Sequence, residues 1–207
     1  MTAPPPDGIE RLVVVGCSWG GLAAVGSLLD HLPTGIPIAV VVAQHRSPAP
    51  SAFTSLIGAH TSWPVCEAED KEHISPGTVH VAPGGYHLLV DGPRFALTTE
   101  APVRHSRPSI DVLFESAAES FTDRVVALVL TGANDDGAVG VRRVVHRGGV
   151  VVVQDPETAD RREMPDAAIA AGVPVHVART EAMGPLLAGL ITYDGVPTGE
   201  HPSLGAP

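Results

Sequence analysis

RLVVVGCSWGGLAAVGSLLDHLP, residues 11–33, decides the fold. Arg11–Val15 is a β-branched run with no polar alternation, the pattern of a strand buried on both faces. Gly16–Gly21 is too glycine-rich to continue either a strand or a helix and reads as a turn. Leu22–His31 then sets Leu22, Val25, Leu28 and Leu29 on one helical face, and Pro33 ends the helix. Strand, glycine turn and amphipathic helix make one unit of a parallel α/β sheet.

The unit recurs outward. Ile38–Ala43 reads as a second buried strand, stopping at Gln44-His45, with a helix over Ser51–His60. Ser109–Thr122 is a helix with Ser109 as its N-cap, Val125–Leu130 a strand, and Ala138–Arg147 a helix. Val150–Gln154 and Val173–Val177 read as strands, Pro165–Ala171 as a short helix with proline in its first turn, and Glu181–Leu190 as a closing helix. Thr78–Thr98 differs: TVHVA, HLLV and RFALT are short runs, and Asp91-Gly92 is a hairpin signal. The expected fold is therefore α/β, a doubly wound and mostly parallel sheet with flanking helices and a small antiparallel hairpin insert at about 78–98. Residues 1–8, with three consecutive prolines, read as an extended lead-in, 9–193 as one catalytic domain, and the Gly- and Pro-rich 194–207 as a flexible tail.

Composition narrows the function. The 207 residues are 44% hydrophobic but only 4% aromatic, so Val, Leu, Ile and Ala must fill the core. A formal net charge of −10 argues against nucleic acid or an anionic membrane surface as the main partner. Two cysteines, Cys17 and Cys66, make no disulfide framework and no metal-ligand spacing. The N-terminus lacks a signal-peptide pattern and no apolar run is long enough to span a bilayer, so a cytoplasmic location without membrane insertion is expected.

Ligands of such sheets bind outside the carboxyl ends of the strands. Three polar clusters fall there: Gly16-Cys17-Ser18-Trp19-Gly20-Gly21, Gln44-His45, and Thr131-Gly132-Ala133-Asn134-Asp135-Asp136-Gly137. The first contains G-x-S-x-G between strand and helix, the context of a nucleophile elbow, in which a sharp, strained turn exposes the serine. The Trp19 N–H can then face a developing oxyanion. Read on spacing alone, the motif serves equally well as a glycine-rich turn. His45, at the end of a neighbouring strand, can be the base that a serine hydroxyl needs. Asp135 and Asp136 can each orient the imidazole or cap the helix near Ala138, and spacing does not choose between them. The other histidines read as solvated or strand-bound. His73, His80 and His87 need not converge, and no metal site is expected. A phosphate-binding reading of the glycine turn is weakened by the missing G-x-G-x-x-G and by Gln44-His45 where a ribose-binding acid would stand.

Taken together, VVVGCSWGG, AQHRSP, VAPGGYHLLV, RPSIDVLFESAA, ALVLTGANDDGAVG and GGVVVVQDPETADRREMPDAAIAAG resemble the catalytic domain of the chemotaxis protein-glutamate methylesterases, over about residues 9–190. The resemblance implies a carboxylic ester hydrolase with a catalytic triad of Ser18, His45 and Asp136. It implies demethylation of glutamate γ-methyl esters on the cytoplasmic helices of chemoreceptors, deamidation of receptor glutamines, and no cofactor. The implied partners are a methylated chemoreceptor or related signalling protein and, because no receiver domain precedes the first strand, a separate receiver or regulatory protein.

Three stretches depart from the family pattern. Trp19 stands where threonine is usual, and an indole there is expected to narrow or block the acyl site. Ala133-Asn134 replaces Met-Gly, in a loop where glycine suggests positive φ. Ala159–Met164 is unusually charged. These departures leave open a different acyl substrate, or a non-catalytic receptor-binding module with a blocked site.

Overall fold

Seven parallel strands build the main sheet of the chain, seen in a computed structural model that describes residues 8–49 and 51–192. Residues 1–7 of the lead-in and the tail read at 194–207 lie outside the described residues. The strands are β1 (Arg11–Cys17), β2 (Ile38–Gln44), β3 (Val65–Glu67), β4 (Val79–Val81), β7 (Val125–Val129), β8 (Val150–Gln154) and β9 (His176–Ala178), ordered β3-β4-β2-β1-β7-β8-β9. The remaining strands, β5 (His87–Asp91) and β6 (Arg94–Thr98), form an antiparallel hairpin. The helices are α1 (Gly21–Asp30), α2 (Phe53–Gly58), α3 (Ile110–Phe121), α4 (Ala138–His146), α5 (Glu163–Ile169) and α6 (Thr180–Thr192). Among the described residues, no helix is long and apolar enough to cross a membrane.

Strand alternation sorts the core into two layers. Leu12 and Val14 of β1 pack with Leu113, Phe114 and Phe121 of α3, Val141 and Val144 of α4, and Phe95 of the hairpin. Val13, Val15 and Cys17 pack on the other face with Leu28 and Leu29 of α1, Ile57 of α2 and Met183 and Leu187 of α6. Both faces of β1 are therefore apolar, as its unalternated sequence requires. Each fully buried Leu or Phe contributes roughly 1.5–3 kcal/mol.

Two details differ from the reading of the sequence. The antiparallel insert is confined to His87–Thr98; Val79–Val81 pairs in parallel with both β2 and the unforeseen β3. At the other edge, strand pairing starts at His176 rather than Val173. Pro174 has no N–H to donate to a ladder, so regular pairing begins after it.

β1 lies between β2 and β7, and the chain fills the β2 side before crossing to β7. That reversal opens a crevice beyond the carboxyl ends of β1, β2 and β7.

Candidate active site

The three strand ends are stitched together just past their last ladder pairs. Leu130 N–H donates to Gly16 O (2.9 Å), Ser18 N–H to Thr131 O (2.9 Å), and His45 N–H to Cys17 O (3.1 Å). Ser18 and His45 are thereby held side by side on adjacent strands. The strain expected at the serine is displaced along the turn: among the described residues, Ser18 does not have positive φ, whereas Gly20 has φ 79°. A Cβ on Gly20 would also lie 2.4 Å from Asp160 Oδ2, so the position is closed to other residues twice over. Cys17, the other nucleophile in this motif, is buried, and desolvation pushes its thiol up to about 12. The buried thiol therefore stays protonated at neutral pH and is a poor nucleophile.

His45 Nε2 donates to Asp136 Oδ2 at 2.7 Å, with the imidazole 11% exposed and the carboxylate fully buried. Asp136 is the end point of several donors. Its Oδ1 accepts from Ser109 Oγ (3.0 Å) and Asp111 N–H (3.0 Å), and its Oδ2 also accepts from Ile110 N–H (2.8 Å). The carboxylate therefore sits on the positive end of α3, where a buried negative charge is stabilised. Burial alone pushes the Asp136 carboxyl up, but the His45 hydrogen bond and the Asp111 and Ile110 amides outweigh it and hold it below the usual carboxylate range.

The two aspartates of the third cluster separate cleanly. Asp135 is exposed and pairs with Arg104. Neither aspartate side chain caps α4; Asp111, reaching across from α3, does. Its Oδ1 accepts from Gly137 (2.9 Å), Val139 (3.0 Å) and Gly140 (2.8 Å) N–H groups, and Arg104 Nε donates to its other oxygen (3.0 Å). Asp136 just before α4 serves α3, and Asp111 in α3 serves α4. Burial raises the Asp111 carboxyl, with Gly140 N–H opposing and the Asp136 charge adding to the rise.

His87 belongs to the same construction. It is buried, accepts Ser109 N–H at Nδ1 (3.2 Å), and donates from Nε2 to Ala101 O (3.1 Å). It thus fixes the α3 N-cap residue whose hydroxyl meets Asp136. His80 instead joins Cys66 and Glu72 in a set with ligand atoms within 4.8 Å of one another, a convergence the sequence did not reveal. His80 Nε2 accepts Ser75 N–H (3.2 Å), so Nδ1 carries the proton and faces Cys66 Sγ (3.5 Å). That tautomer offers no lone pair to a metal at Nδ1.

The departures from the family pattern take definite places. The Trp19 side chain is 67% exposed and lies under the Arg161 guanidinium at 5.8 Å. Asn134 does not have positive φ, so replacing glycine there needs no left-handed backbone. Its Oδ1 accepts Asp136 N–H (3.2 Å), which leaves Nδ2 to donate to His45 Nδ1 (3.4 Å). Among the described residues, no hydrogen bond joins Ser18 Oγ to His45, and Asn134 occupies that nitrogen. The charged 159–164 segment is tied to the end of β7 by Gly132 N–H to Arg161 O (3.0 Å), Met164 N–H to Gly132 O (2.9 Å) and Arg161 N–H to Thr131 Oγ1 (2.9 Å).

Gly132 separates Ser18 from this segment. A Cβ there would fall 1.8 Å from Met164 Sδ and 3.0 Å from Ser18 Cβ. Gly132→Ala is expected to displace the Ser18 side chain and slow its reaction with a fluorophosphonate by about 10²-fold. Timed mass spectrometry checks this; an unchanged rate would mean that the loop yields freely.

A family model described as CheB methylesterase matches residues 13–187. A relative from Leptospira interrogans is 42% identical over 161 residues, covering 77% of this chain and 83% of that protein. The protein-glutamate methylesterase/protein-glutamine glutaminase of Nocardioides sp. is 41% identical over 189 residues, covering 88% of this chain and 51% of its own; the chain thus spans about half the length of that relative. The crystal structure of the Thermotoga maritima CheB methylesterase catalytic domain matches with a TM-score of 0.84 and 30% identity, covering 88% of this chain and 99% of that one. Family model, relatives and fold agree, and the chain belongs to the CheB methylesterase family of carboxylic ester hydrolases.

Proposed function

We propose that this chain is a cytoplasmic serine hydrolase that removes methyl groups from glutamate γ-methyl esters of chemoreceptors, with Ser18 as nucleophile, His45 as base and Asp136 as the orienting acid. The observation that carries the reading is the His45–Asp136 hydrogen bond of 2.7 Å, made just past the end of β2, next to the end of β1 that Ser18 follows. Because Nε2 is committed to Asp136, Nδ1 is the nitrogen that takes the serine proton. Ser18 Oγ attacks the ester carbonyl, and the amides of the β1–α1 turn, Trp19 N–H among them, receive the oxyanion at the positive end of α1. His45 passes the proton to departing methanol. Water then repeats the sequence on the acyl-enzyme, giving the glutamate carboxylate and free Ser18. With a glutamine substrate the leaving group is ammonia.

The Asn134 amide must leave Nδ1 before Ser18 can bond there. Asn134→Ala therefore speeds fluorophosphonate labelling of Ser18 by about fivefold, the equivalent of one ordinary hydrogen bond. A slowing instead would mean that the amide serves the reaction, for example at the oxyanion.

Methanol release from a γ-methyl-esterified chemoreceptor fragment tests the substrate. Release by the parent protein is expected. Labelling of Ser18 without methanol release would favour a different acyl substrate. The exposed Trp19–Arg161 surface beside the nucleophile, in place of a small threonine, supports that second reading.

A further inference from the structure

A cleft of about 450 Å³ opens beside His45, lined by Arg46, His105 and Arg107 together with serine, proline and glycine. Among the described residues no carboxylate lines it, in a chain of formal net charge −10. The three basic side chains come from two separate segments; both arginines are held by side-chain hydrogen bonds, and His105 by the turn that carries it.

Arg46 follows the catalytic histidine directly. Its side chain is only 9% exposed, and its Nη2 donates to Glu67 Oε1 and Ala82 O, both at 2.6 Å. Arg107 is fixed through Nη1 by two backbone carbonyls, Thr99 O (2.7 Å) and Glu100 O (2.9 Å). Among the described residues these contacts are neutral, and no carboxylate pairs with its charge. The Nε groups of Arg46 and Arg107 are both buried with no hydrogen-bond partner.

His105 is placed by backbone strain. Val103 and Ser106 exchange both backbone hydrogen bonds, leaving a two-residue turn at Arg104-His105. Both residues have positive φ, 47° and 65°. Turns of this kind normally carry Asn-Gly, which adopt the conformation without strain. Here Arg104 and His105 adopt it, and strain of this sort persists where the side chains serve a purpose. Arg104 turns to Asp111 and Asp135, in the capping network of Asp136, while His105 lines the cleft.

We propose that this cleft receives an acidic side chain of the substrate polypeptide, a carboxylate flanking the ester, and thereby selects which methyl esters reach Ser18. The inference rests on the hydrolase reading above. An acidic enzyme repels an acidic segment at long range, and a local cationic cleft reverses that at the site itself. Arg107 supplies the uncompensated charge, Arg46 a guanidinium already anchored beside His45, and His105 a further ring donor. A cleft of this volume holds one or two side chains rather than a folded domain.

The test uses binding, so that it does not depend on turnover. Three fluorescent peptides share a central glutamate γ-methyl ester and differ only in flanking residues, Glu, Gln or Lys. Fluorescence anisotropy measures each against the Ser18→Ala protein. The Glu-flanked peptide is expected to bind about tenfold more tightly than the Gln-flanked one, the worth of one charge-assisted hydrogen bond, and the gap is expected to close as salt is raised. Arg107→Gln in that background should remove the preference, and Arg107→Glu should reverse it in favour of the Lys-flanked peptide, a gain that misfolding cannot produce. Equal binding of all three peptides, or a Glu preference that survives Arg107→Glu, overturns the proposal. Fluorophosphonate labelling of the parent is scored separately: its absence would defeat the proposed triad while leaving the peptide comparison to judge the cleft.

Discussion

Ser18→Ala is expected to lower turnover of any ester substrate by about 10⁶-fold, to the level that binding and oxyanion donors alone sustain. No neighbouring nucleophile can take over. Cys17 is buried with its thiol pushed up to about 12, and its side chain lies among Val13, Val15 and α1 rather than in the crevice. The substitution removes one oxygen from a half-buried position and touches none of the stitching bonds, all of which run between backbone groups. Thermal unfolding should therefore stay close to that of the parent. Retention of parental activity would mean that the chemistry lies elsewhere.

Asp136→Asn should cost about 10⁴-fold in turnover, and unlike Ser18→Ala it should also destabilise the fold. The parent carboxylate accepts four hydrogen bonds, two on each oxygen. An amide can accept on one side only. If its NH₂ replaces Oδ2, it opposes Ile110 N–H and forces His45 into the wrong tautomer. If it replaces Oδ1, it opposes Asp111 N–H. Either way a buried donor is left unmatched, at a cost of about 1–3 kcal/mol. Acid should expose the same contribution. The folded-state carboxyl lies below its ordinary value, so between the two values the unfolded chain binds more protons. Stability from Asp136 is thus complete above the ordinary carboxylate range, near 3.9, and is lost as pH falls through the lowered value. Asp111, whose carboxyl is raised, contributes in the opposite direction, its share declining as pH rises through the raised value. Urea midpoints of parent and variant should be far apart at neutral pH and should converge in acid; a constant gap would refute the assignment of the lowered carboxyl to Asp136.

The sheet was legible because β1, β2, β7 and β8 are unbroken apolar runs, and only strands covered on both faces require that. β3 was not legible: three residues with partly exposed side chains leave no periodicity to read. Ser18 and His45 could be singled out because strand ends in such folds meet at one crevice. Asp136 was chosen over Asp135 by family resemblance, since adjacent residues in a loop have the same spacing to everything else. The capping exchange between Asp111 and Asp136, and the support of Ser109 by His87, join elements more than twenty residues apart. No local pattern announces such contacts. Ser109 itself was readable as an N-cap, but not as a donor to the aspartate. The exposure of the Trp19 indole and its stacking under Arg161 depend on a residue more than a hundred positions away, which no local pattern announces.

The central claim, that Ser18 is an activated and reachable nucleophile, is tested most directly by reacting the protein with a fluorophosphonate and weighing it intact, beside Ser18→Ala. One adduct on the parent, mapped to the peptide containing Ser18 and absent from the variant, is the predicted result. No adduct on the parent, or one that persists in Ser18→Ala, would contradict the account.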